Sequence, residues 1–235
     1  MSNTIQNFID GQCASNNNNL QDIYNPAEGK PCATVAFASE DEVNDAVATA
    51  KAMFPEWSNT TPLRRARVLF KFKDLLEQHT DEIAELVTRE HGKTLADAKG
   101  SIARGIELVE FACGIPNLLK GEYSENVGTD VDSYTVRQAL GVCVGITPFN
   151  FPLMIPVWMF AQAIACGNTF ILKPSEKDPS APLRLVELMH EAGLPKGVLN
   201  MVNGDKAVVD QLLSHSDVAA VSFVGSTPVA EQIYN

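Results

Sequence analysis

One amide side chain stands out in a long uncharged stretch of the sequence. Asn150 lies in the segment GITPFNFP, between two phenylalanines and two prolines, and no charged residue follows it until Lys173. An amide buried without a hydrogen-bond partner would cost about 1–3 kcal/mol. Asn150 is therefore either satisfied inside a structural loop or directed at a ligand that binds there.

A charged cluster follows the next apolar segment. The run TFILKPSEK places Lys173, Glu176 and Lys177 directly after a predicted strand. One interpretation is a solvated, turn-forming cluster of charges. The other is that Glu176 accepts hydrogen bonds from ribose hydroxyls while Lys173 reaches the same sugar, which would favour NAD over NADP because a carboxylate repels a 2′-phosphate. The spacing leaves both interpretations open.

A third polar segment, SFVGST, places Gly225 and Ser226 at a predicted strand-to-helix turn. A helix N-terminus offers free N–H groups and a positive dipole end to a pyrophosphate. Ser226 would also serve as an ordinary N-cap, and the two roles are compatible. The sequence has no GxGxxG motif, so the usual dinucleotide fingerprint does not apply.

These segments follow strands in the second half of the chain. From Gly141 onward, short apolar runs (VCVGI, TFILK, GVLNMV, VAAVSFVG) alternate with helical patterns, which predicts βαβ units and a parallel sheet. Ligands bind at the carboxyl ends of such strands, so TPFN, KPSEK and GST should converge. The last helix starts at Ser226 and the chain stops within it, so we expect a truncated chain.

The first half is predicted to be mostly helical. FIDG and LQDIYNPAEGK indicate two strand pieces joined by an Asn-rich turn. Ser39 and Glu42 form a capping box for a helix that ends near Phe54. Further helices are predicted to open at Thr61-Pro62, at Thr80 and after Gly100, and residues 124–140 to form an exposed strand or hairpin. We therefore divide the chain into residues 1–120, 121–140 and 141–235.

Composition limits the partners of this chain. The 235 residues carry a formal net charge of −11, which argues against nucleic-acid binding. Prolines and amides interrupt the uncharged run, which argues against a membrane span. The five cysteines contain no CxxC pair and the histidines are scattered, so we expect reduced thiols, no metal site and a cytoplasmic location.

The motifs together resemble a known family. ITPFNFP, KPSEK, GLPKGVLNMVNG and SFVGST are similar to the cofactor-binding domain of the aldehyde dehydrogenase superfamily. HGKTLADAKGSIARGIELVEFACG is most similar to its CoA-acylating methylmalonate-semialdehyde subgroup. The resemblance covers essentially the whole chain. It implies an α/β aldehyde dehydrogenase-like fold, with a helical N-terminal part followed by a Rossmann-type parallel sheet that ends before the catalytic domain.

The resemblance also implies roles for individual residues. Asn150 would donate its amide to the oxyanion formed when a cysteine thiolate attacks the aldehyde, before hydride passes to NAD and coenzyme A accepts the acyl group. Arg104 would bind the carboxylate of a small semialdehyde substrate, the alternative being a surface arginine with an acidic neighbour. The residues implied to line the NAD site are Thr147, Phe149, Lys173, Glu176, Lys177 and Ser226, with Gly225 beside them; Lys177 stands where many relatives carry arginine.

The catalytic cysteine of the family is missing from this chain. It is expected in a Gly-Gln-x-Cys context, and Cys13 in GQC is a look-alike in the wrong place, while Cys113, Cys143 and Cys166 fit core positions. Two hypotheses follow: the N-terminal part of a homo-oligomeric semialdehyde dehydrogenase, inactive alone, or a non-catalytic NAD-binding or assembly module. A dehydrogenase that releases the free acid instead of an acyl-CoA is a further alternative.

Overall fold

The computed structural model describes residues 4–14 and 19–234. Its strands are β1 (Thr4–Ile5), β2 (Asn7–Ile9), β3 (Gln12–Ala14), β4 (Leu20–Asn25), β5 (Lys30–Ala36), β6 (Tyr123–Gly128), β7 (Val131–Tyr134), β8 (Val142–Ile146), β9 (Thr169–Lys173), β10 (Leu199–Met201) and β11 (Val218–Phe223). Its helices are α1 (Glu40–Asn59), α2 (Pro62–Gln78), α3 (Thr80–His91), α4 (Leu95–Cys113), α5 (Ile115–Leu118), α6 (Met154–Ala165), α7 (Ser180–Glu191), α8 (Lys206–Ser214) and α9 (Thr227–Tyr234).

The main sheet has the order β11-β8-β9-β10-β2-β3. Its strands β8 to β11 run parallel, which confirms the βαβ prediction, whereas β2 and β3 add an antiparallel edge. The chain proceeds from β8 through β9 to β10 on one side and then returns to place β11 on the other side of β8. The strand order thus reverses between β8 and β11, and this kind of reversal is where doubly wound sheets bind ligands.

The two faces of the sheet are covered by different helices. Val142, Val144 and Ile146 of β8 pack with α1 and α8, while Cys143 belongs to the core on the opposite face, with α2, α3, α4, α6 and α7. The alternation follows the two-residue period of a strand. Because both faces are buried, β8 and β9 are apolar along nearly their whole length, as expected for parallel strands.

The N-terminal strands differ from the prediction. FIDG and LQDIY do not pair with each other: β2 forms a hairpin with β3, whereas β4 pairs with β5 in a separate sheet of order β1-β5-β4. Asp10 and Gly11 close the β2–β3 hairpin with φ values of 51° and 74°, the left-handed conformations that an Asp-Gly turn favours. The predicted Asn-rich turn has residues 15–18 outside the described residues.

Two predicted helix boundaries were wrong because tertiary contacts override local signals. Helix α1 continues past Pro55 to Asn59, since Trp57 is buried and its Nε1 donates to the Ile164 carbonyl at 3.0 Å. Thr80 does not cap α3: it is the first helical residue, and its hydroxyl donates to Leu76 at 2.9 Å.

Helix α4 begins earlier than predicted. It starts at Leu95 rather than after Gly100, because Thr94 caps it by accepting from the Asp97 N–H at 3.2 Å. The uncharged run contains α6, a helix of 12 residues packed into the core. Within residues 4–14 and 19–234, no helix combines the length and apolar character needed to cross a membrane.

Candidate functional site

The three polar segments converge at the carboxyl ends of the parallel strands, as predicted. Ile146 pairs in register with Lys173 on one side and Phe223 on the other. The Thr147 N–H donates to the Lys173 carbonyl at 3.1 Å, and the Val224 N–H donates to the Ile146 carbonyl at 3.2 Å. The loops that follow β8, β9 and β11 are therefore joined at the point where the strand order reverses.

A cavity of about 300 Å³ lies beside Lys173 and Glu176, between α8 and α9. Its apolar walls are the side chains of Val209, Leu213, Val229 and Ile233. At its base, Lys173 Nζ lies 3.5 Å from Glu176 Oε2. Burial lowers the pKa of the Lys173 ammonium, and the charge of Glu176 opposes that effect. Apolar walls with a carboxylate at one end suit the base and ribose of a nucleotide.

The charge of this cavity fits a ribose better than a phosphorylated ribose. Its lining contains the carboxylates of Glu176, Asp205 and Asp210 and the ammonium groups of Lys173 and Lys206. Both ammonium groups already face carboxylates, since Lys206 Nζ lies 2.5 Å from Asp210 Oδ2. A 2′-phosphate would meet an excess of negative charge, so NAD fits these residues better than NADP.

The turn before α9 lies close to an aromatic ring. A Cβ atom added to Gly225 would lie 2.3 Å from the Phe223 ring, so a larger residue would displace that side chain. Ser226 follows at the N-cap position, where its carbonyl accepts from the Ala230 N–H at 3.0 Å, and its side chain is exposed. The N–H groups of Thr227 and Val229 in the first turn of α9 lack intrahelical partners and can donate to an anionic group, whereas Pro228 has no N–H.

Thr147 combines a paired backbone N–H with an unpaired buried hydroxyl. Its N–H donates to the Lys173 carbonyl, so a ligand could contact its backbone only at the carbonyl. Its hydroxyl oxygen is buried and makes no hydrogen bond to the described residues. A buried hydroxyl is ordinarily paired, so this orphaned oxygen fits a site that a polar ligand completes.

Asn150 is not a buried amide. Its side chain is exposed and has no hydrogen-bond partner among the described residues, which removes the interpretation of a satisfied internal amide. The residue is fixed through its backbone instead, because its carbonyl accepts from Lys93 Nζ at 2.7 Å. The amide group is thus free to donate to a molecule outside the described residues.

Phe149 and Lys177 lie together on the other side of Glu176. The Lys177 ammonium is 4.6 Å from the centroid of the Phe149 ring, which favours a cation–π contact. Both residues line a second cavity of about 490 Å³, together with His91 and Asp178. Glu176 lines both cavities. Of the predicted residues, Lys173 lines the first cavity with it, whereas Phe149 and Lys177 line the second.

Asp178 is a buried group that sequence patterns did not single out. Its side chain is almost completely buried, and neither carboxylate oxygen has a hydrogen-bond partner among the described residues. Burial, together with the charges of Glu90 and Glu176, raises the pKa of Asp178 to about 8. Asp178 follows two charged residues in the sequence, so only the tertiary structure distinguishes it from a solvated turn residue.

Arg104 lies on α4, which packs against the segment after Asn150. A Cβ atom added to the neighbouring Gly105 would lie 2.4 Å from Leu153 Cδ2, so α4 approaches that segment closely. The Arg104 side chain is exposed and forms no ion pair with the described residues. The ion pair of the alternative interpretation is therefore not formed within the described residues, although Glu107 lies three residues further along α4.

The five thiols are poor candidates for a nucleophile. Burial raises the pKa of every cysteine, to about 11 for Cys113 and Cys143, which disfavours the reactive thiolate. Cys113 and Cys143 are buried and Cys166 is half-buried, in keeping with their predicted core positions.

The strand order and the convergent loops define a doubly wound α/β domain with its ligand site at the switch point. Residues 13–235 match the model of the aldehyde dehydrogenase family, and the chain belongs to that family. It is 54% identical over 231 residues to the malonate-semialdehyde dehydrogenase of Pseudomonas aeruginosa, covering 98% of this chain and 46% of that protein. The chain spans about half the length of the curated relatives it matches.

Two solved structures also superpose closely on this chain. One, assigned as a methylmalonate-semialdehyde dehydrogenase from Sinorhizobium meliloti 1021 and complexed with NAD, superposes with a TM-score of 0.98 at 56% identity, covering 100% of this chain and 48% of that one. Methylmalonate-semialdehyde dehydrogenase from Oceanimonas doudoroffii superposes with a TM-score of 0.97 at 56% identity, covering 99% and 48%. The aldehyde dehydrogenase-like α/β fold expected from the sequence is confirmed.

Proposed function

We propose that this chain is the NAD-binding part of a dehydrogenase that oxidises malonate or methylmalonate semialdehyde. The observation that carries the proposal is the convergence of the Asn150, Glu176 and Ser226 segments at the switch point. Relatives and solved structures at 54% and 56% identity, named for these semialdehydes, support the substrate class.

The proposed NAD site uses the loops that follow β8, β9 and β11 at the switch point. Glu176 accepts from the hydroxyls of the adenosine ribose, with Lys173 beside it, and the apolar walls of the cavity between α8 and α9 hold the base. Gly225 and Ser226 present the N-terminus of α9 to the pyrophosphate. Thr147, Phe149 and Lys177 border the path toward Asn150. When bound, NAD supplies the acceptor for the hydride that leaves the substrate.

The proposed role of Asn150 is to stabilise an oxyanion. Its exposed amide donates to the oxygen that becomes negatively charged when a thiolate adds to the aldehyde carbon.

Arg104 binds the distant carboxylate of the substrate, for which a planar guanidinium is well suited. The raised pKa values of the five cysteines support a nucleophile outside them. Loss of hydride to NAD would leave a thioester on that nucleophile, whose C–S bond would be cleaved by the thiol of coenzyme A to give the acyl-CoA and the free nucleophile; release of free acid in the presence of coenzyme A would instead support the hydrolytic alternative.

The hairpin β6–β7 supports the proposal of a homo-oligomer. It is exposed on both strands, and its apolar side chains include Tyr123, Val127, Val131 and Tyr134. An isolated two-stranded hairpin is only marginally stable in water, so a contact with a second copy would stabilise it. We propose a soluble cytoplasmic oligomer.

The experiment that tests the function is Asn150→Ala in the full-length protein. Loss of one oxyanion donor should lower kcat about 10²–10³-fold with little change in the affinity for NAD. Asn117→Ala, at an exposed amide on α5, is the control and should leave kcat unchanged. Equal losses in kcat and NAD affinity for Asn150→Ala would mean that this residue is structural and would refute the assignment.

The raised thiol pKa values also favour a second candidate for the chain by itself, a module that binds NAD without catalysis. The intact mass of the protein in its source cell separates the two candidates. A mass well above 25.5 kDa supports the enzyme. A mass of 25.5 kDa, with no NADH formed from malonate semialdehyde, supports the module.

A further inference from the structure

Lys93 lies at a rigid joint between two helices. Gly92, with φ of 85°, ends α3 in the left-handed conformation, and its N–H donates to the Thr88 carbonyl. Thr94 caps α4 by accepting from the Asp97 N–H and donating to Asp97 Oδ2 at 2.8 Å. The backbone on either side of Lys93 is therefore fixed, so the two helices set the direction in which its side chain leaves the backbone.

The side chain of Lys93 spans from this joint to the loop that contains Asn150. Its ammonium donates to the Asn150 carbonyl at 2.7 Å and lies 4.0 Å from the centroid of the Phe151 ring. Two contacts to consecutive residues fix both the position and the tilt of the loop. Lys93 forms no ion pair within 4.0 Å among the described residues, so these are its direct polar contacts there.

Phe149 and Asn150 lie in a turn that shapes the loop between its two ends. Upstream, the Thr147 N–H bonds to Lys173; downstream, the Phe151 carbonyl accepts from the Ile155 N–H at 3.3 Å as α6 begins. Between these two points, no hydrogen bond to the backbone of Asn150 other than that of Lys93 joins it to the described residues. The ammonium therefore adds a constraint from outside this turn, at the Asn150 carbonyl.

The surroundings of Lys93 leave its ammonium without a paired carboxylate. Burial lowers the pKa of Lys93, and the carboxyl groups of Asp178 and Asp97 oppose that shift. Burial and the charge of Lys93 lower the pKa of His91, which favours the neutral form of its imidazole. A half-buried ammonium that bonds a carbonyl rather than a carboxylate is available for orientation instead of charge pairing.

We propose that Lys93 is a positioning residue that acts through Asn150, holding the loop so that the Asn150 amide meets the developing oxyanion. The inference rests on the proposed function of Asn150. It assigns the position of the Asn150 loop to Lys93, which lies between α3 and α4 and is distant from Asn150 in sequence. A displacement of about 1 Å in a catalytic group can cost on the order of 10²-fold in rate. The loss on removing Lys93 should therefore approach, but not exceed, that on removing the amide.

The test compares Lys93→Met, Lys93→Arg and Asn150→Ala with the double variant Lys93→Met/Asn150→Ala in the full-length protein. Malonate semialdehyde is the substrate, and kcat/KM and the Kd of NAD are measured. Lys93→Met should lower kcat/KM by about 10–10²-fold with the Kd of NAD unchanged. Lys93→Arg, which keeps a cationic donor, should recover most of the activity. Lys99→Met is the matched control, since Lys99 pairs with Asp81 on the surface.

The double variant decides whether Lys93 acts through Asn150. If it does, Lys93→Met should have almost no effect in the Asn150→Ala background, because the group that it positions is gone. Additive losses, or a loss of NAD affinity or thermal stability that parallels the loss of rate, would overturn the inference. If Asn150→Ala itself is fully active, the proposed function fails; if only Asn150→Ala is impaired and Lys93→Met is not, the inference alone fails.

Discussion

Replacing Asp178 by asparagine should make the stability of the full-length protein less dependent on pH. The carboxyl group of Asp178 is almost completely buried, with neither oxygen hydrogen-bonded to the described residues. Its pKa is raised from 3.8 to about 8 by burial and by Glu90 and Glu176, against the opposing charges of Lys93 and Lys177. Asparagine has nearly the same shape and stays neutral at every pH.

The sign of the effect follows from proton binding. Between pH 4 and pH 8 the folded protein retains the Asp178 proton while the unfolded chain has lost it, so the free energy of unfolding falls as the pH rises. The limiting slope is about 1.4 kcal/mol per pH unit. Neighbouring charges and relaxation reduce it, so between pH 5.5 and pH 8 the variant should gain roughly 1–3 kcal/mol over the parent protein.

Thermal melts of the two proteins across this pH range provide the assay. The difference in Tm, variant minus parent, should rise by a few degrees between pH 5.5 and pH 8. Asp81→Asn is the control, because Asp81 is exposed and pairs with Lys99 at 2.7 Å. A Tm difference that stays flat, or that shrinks as the pH rises, would show that Asp178 is ionised in the folded protein and would refute the explanation.

Two further predictions concern recognition in the full-length protein. Arg104→Met should raise KM for malonate semialdehyde by about 10–10²-fold, because a charged hydrogen bond to the substrate carboxylate is lost, but should leave KM for propanal unchanged; an equal rise for both aldehydes would contradict the role. Glu176→Gln should weaken NAD binding by about tenfold and narrow its advantage over NADP, since the charge facing the ribose is removed; unchanged Kd values for both nucleotides, measured by fluorescence titration, would exclude Glu176 from the ribose site.

The parallel core of the fold was predictable because its signals are local. Strands β8, β9 and β11 are mostly apolar runs separated by helical segments, so their type and parallel direction follow from residue pattern, whereas their order in the sheet does not. The N-terminal strands were not predictable in the same way. The Asp10-Gly11 turn is a hairpin signal, but nothing local indicates that β2 pairs with β10 on the main sheet.

The sequence by itself determined which residues follow the strands, and therefore that Thr147, Lys173 and Ser226 lie at one edge of the sheet. Parallel pairing places the carboxyl ends of strands together, whatever packs around them. The tertiary structure alone decided the surroundings of these residues: that Asn150 is exposed and fixed by Lys93, and that Asp178 is buried without a partner. The reason is physical, because burial, charge and hydrogen bonding depend on segments far apart in the chain, whose contacts no short sequence pattern specifies.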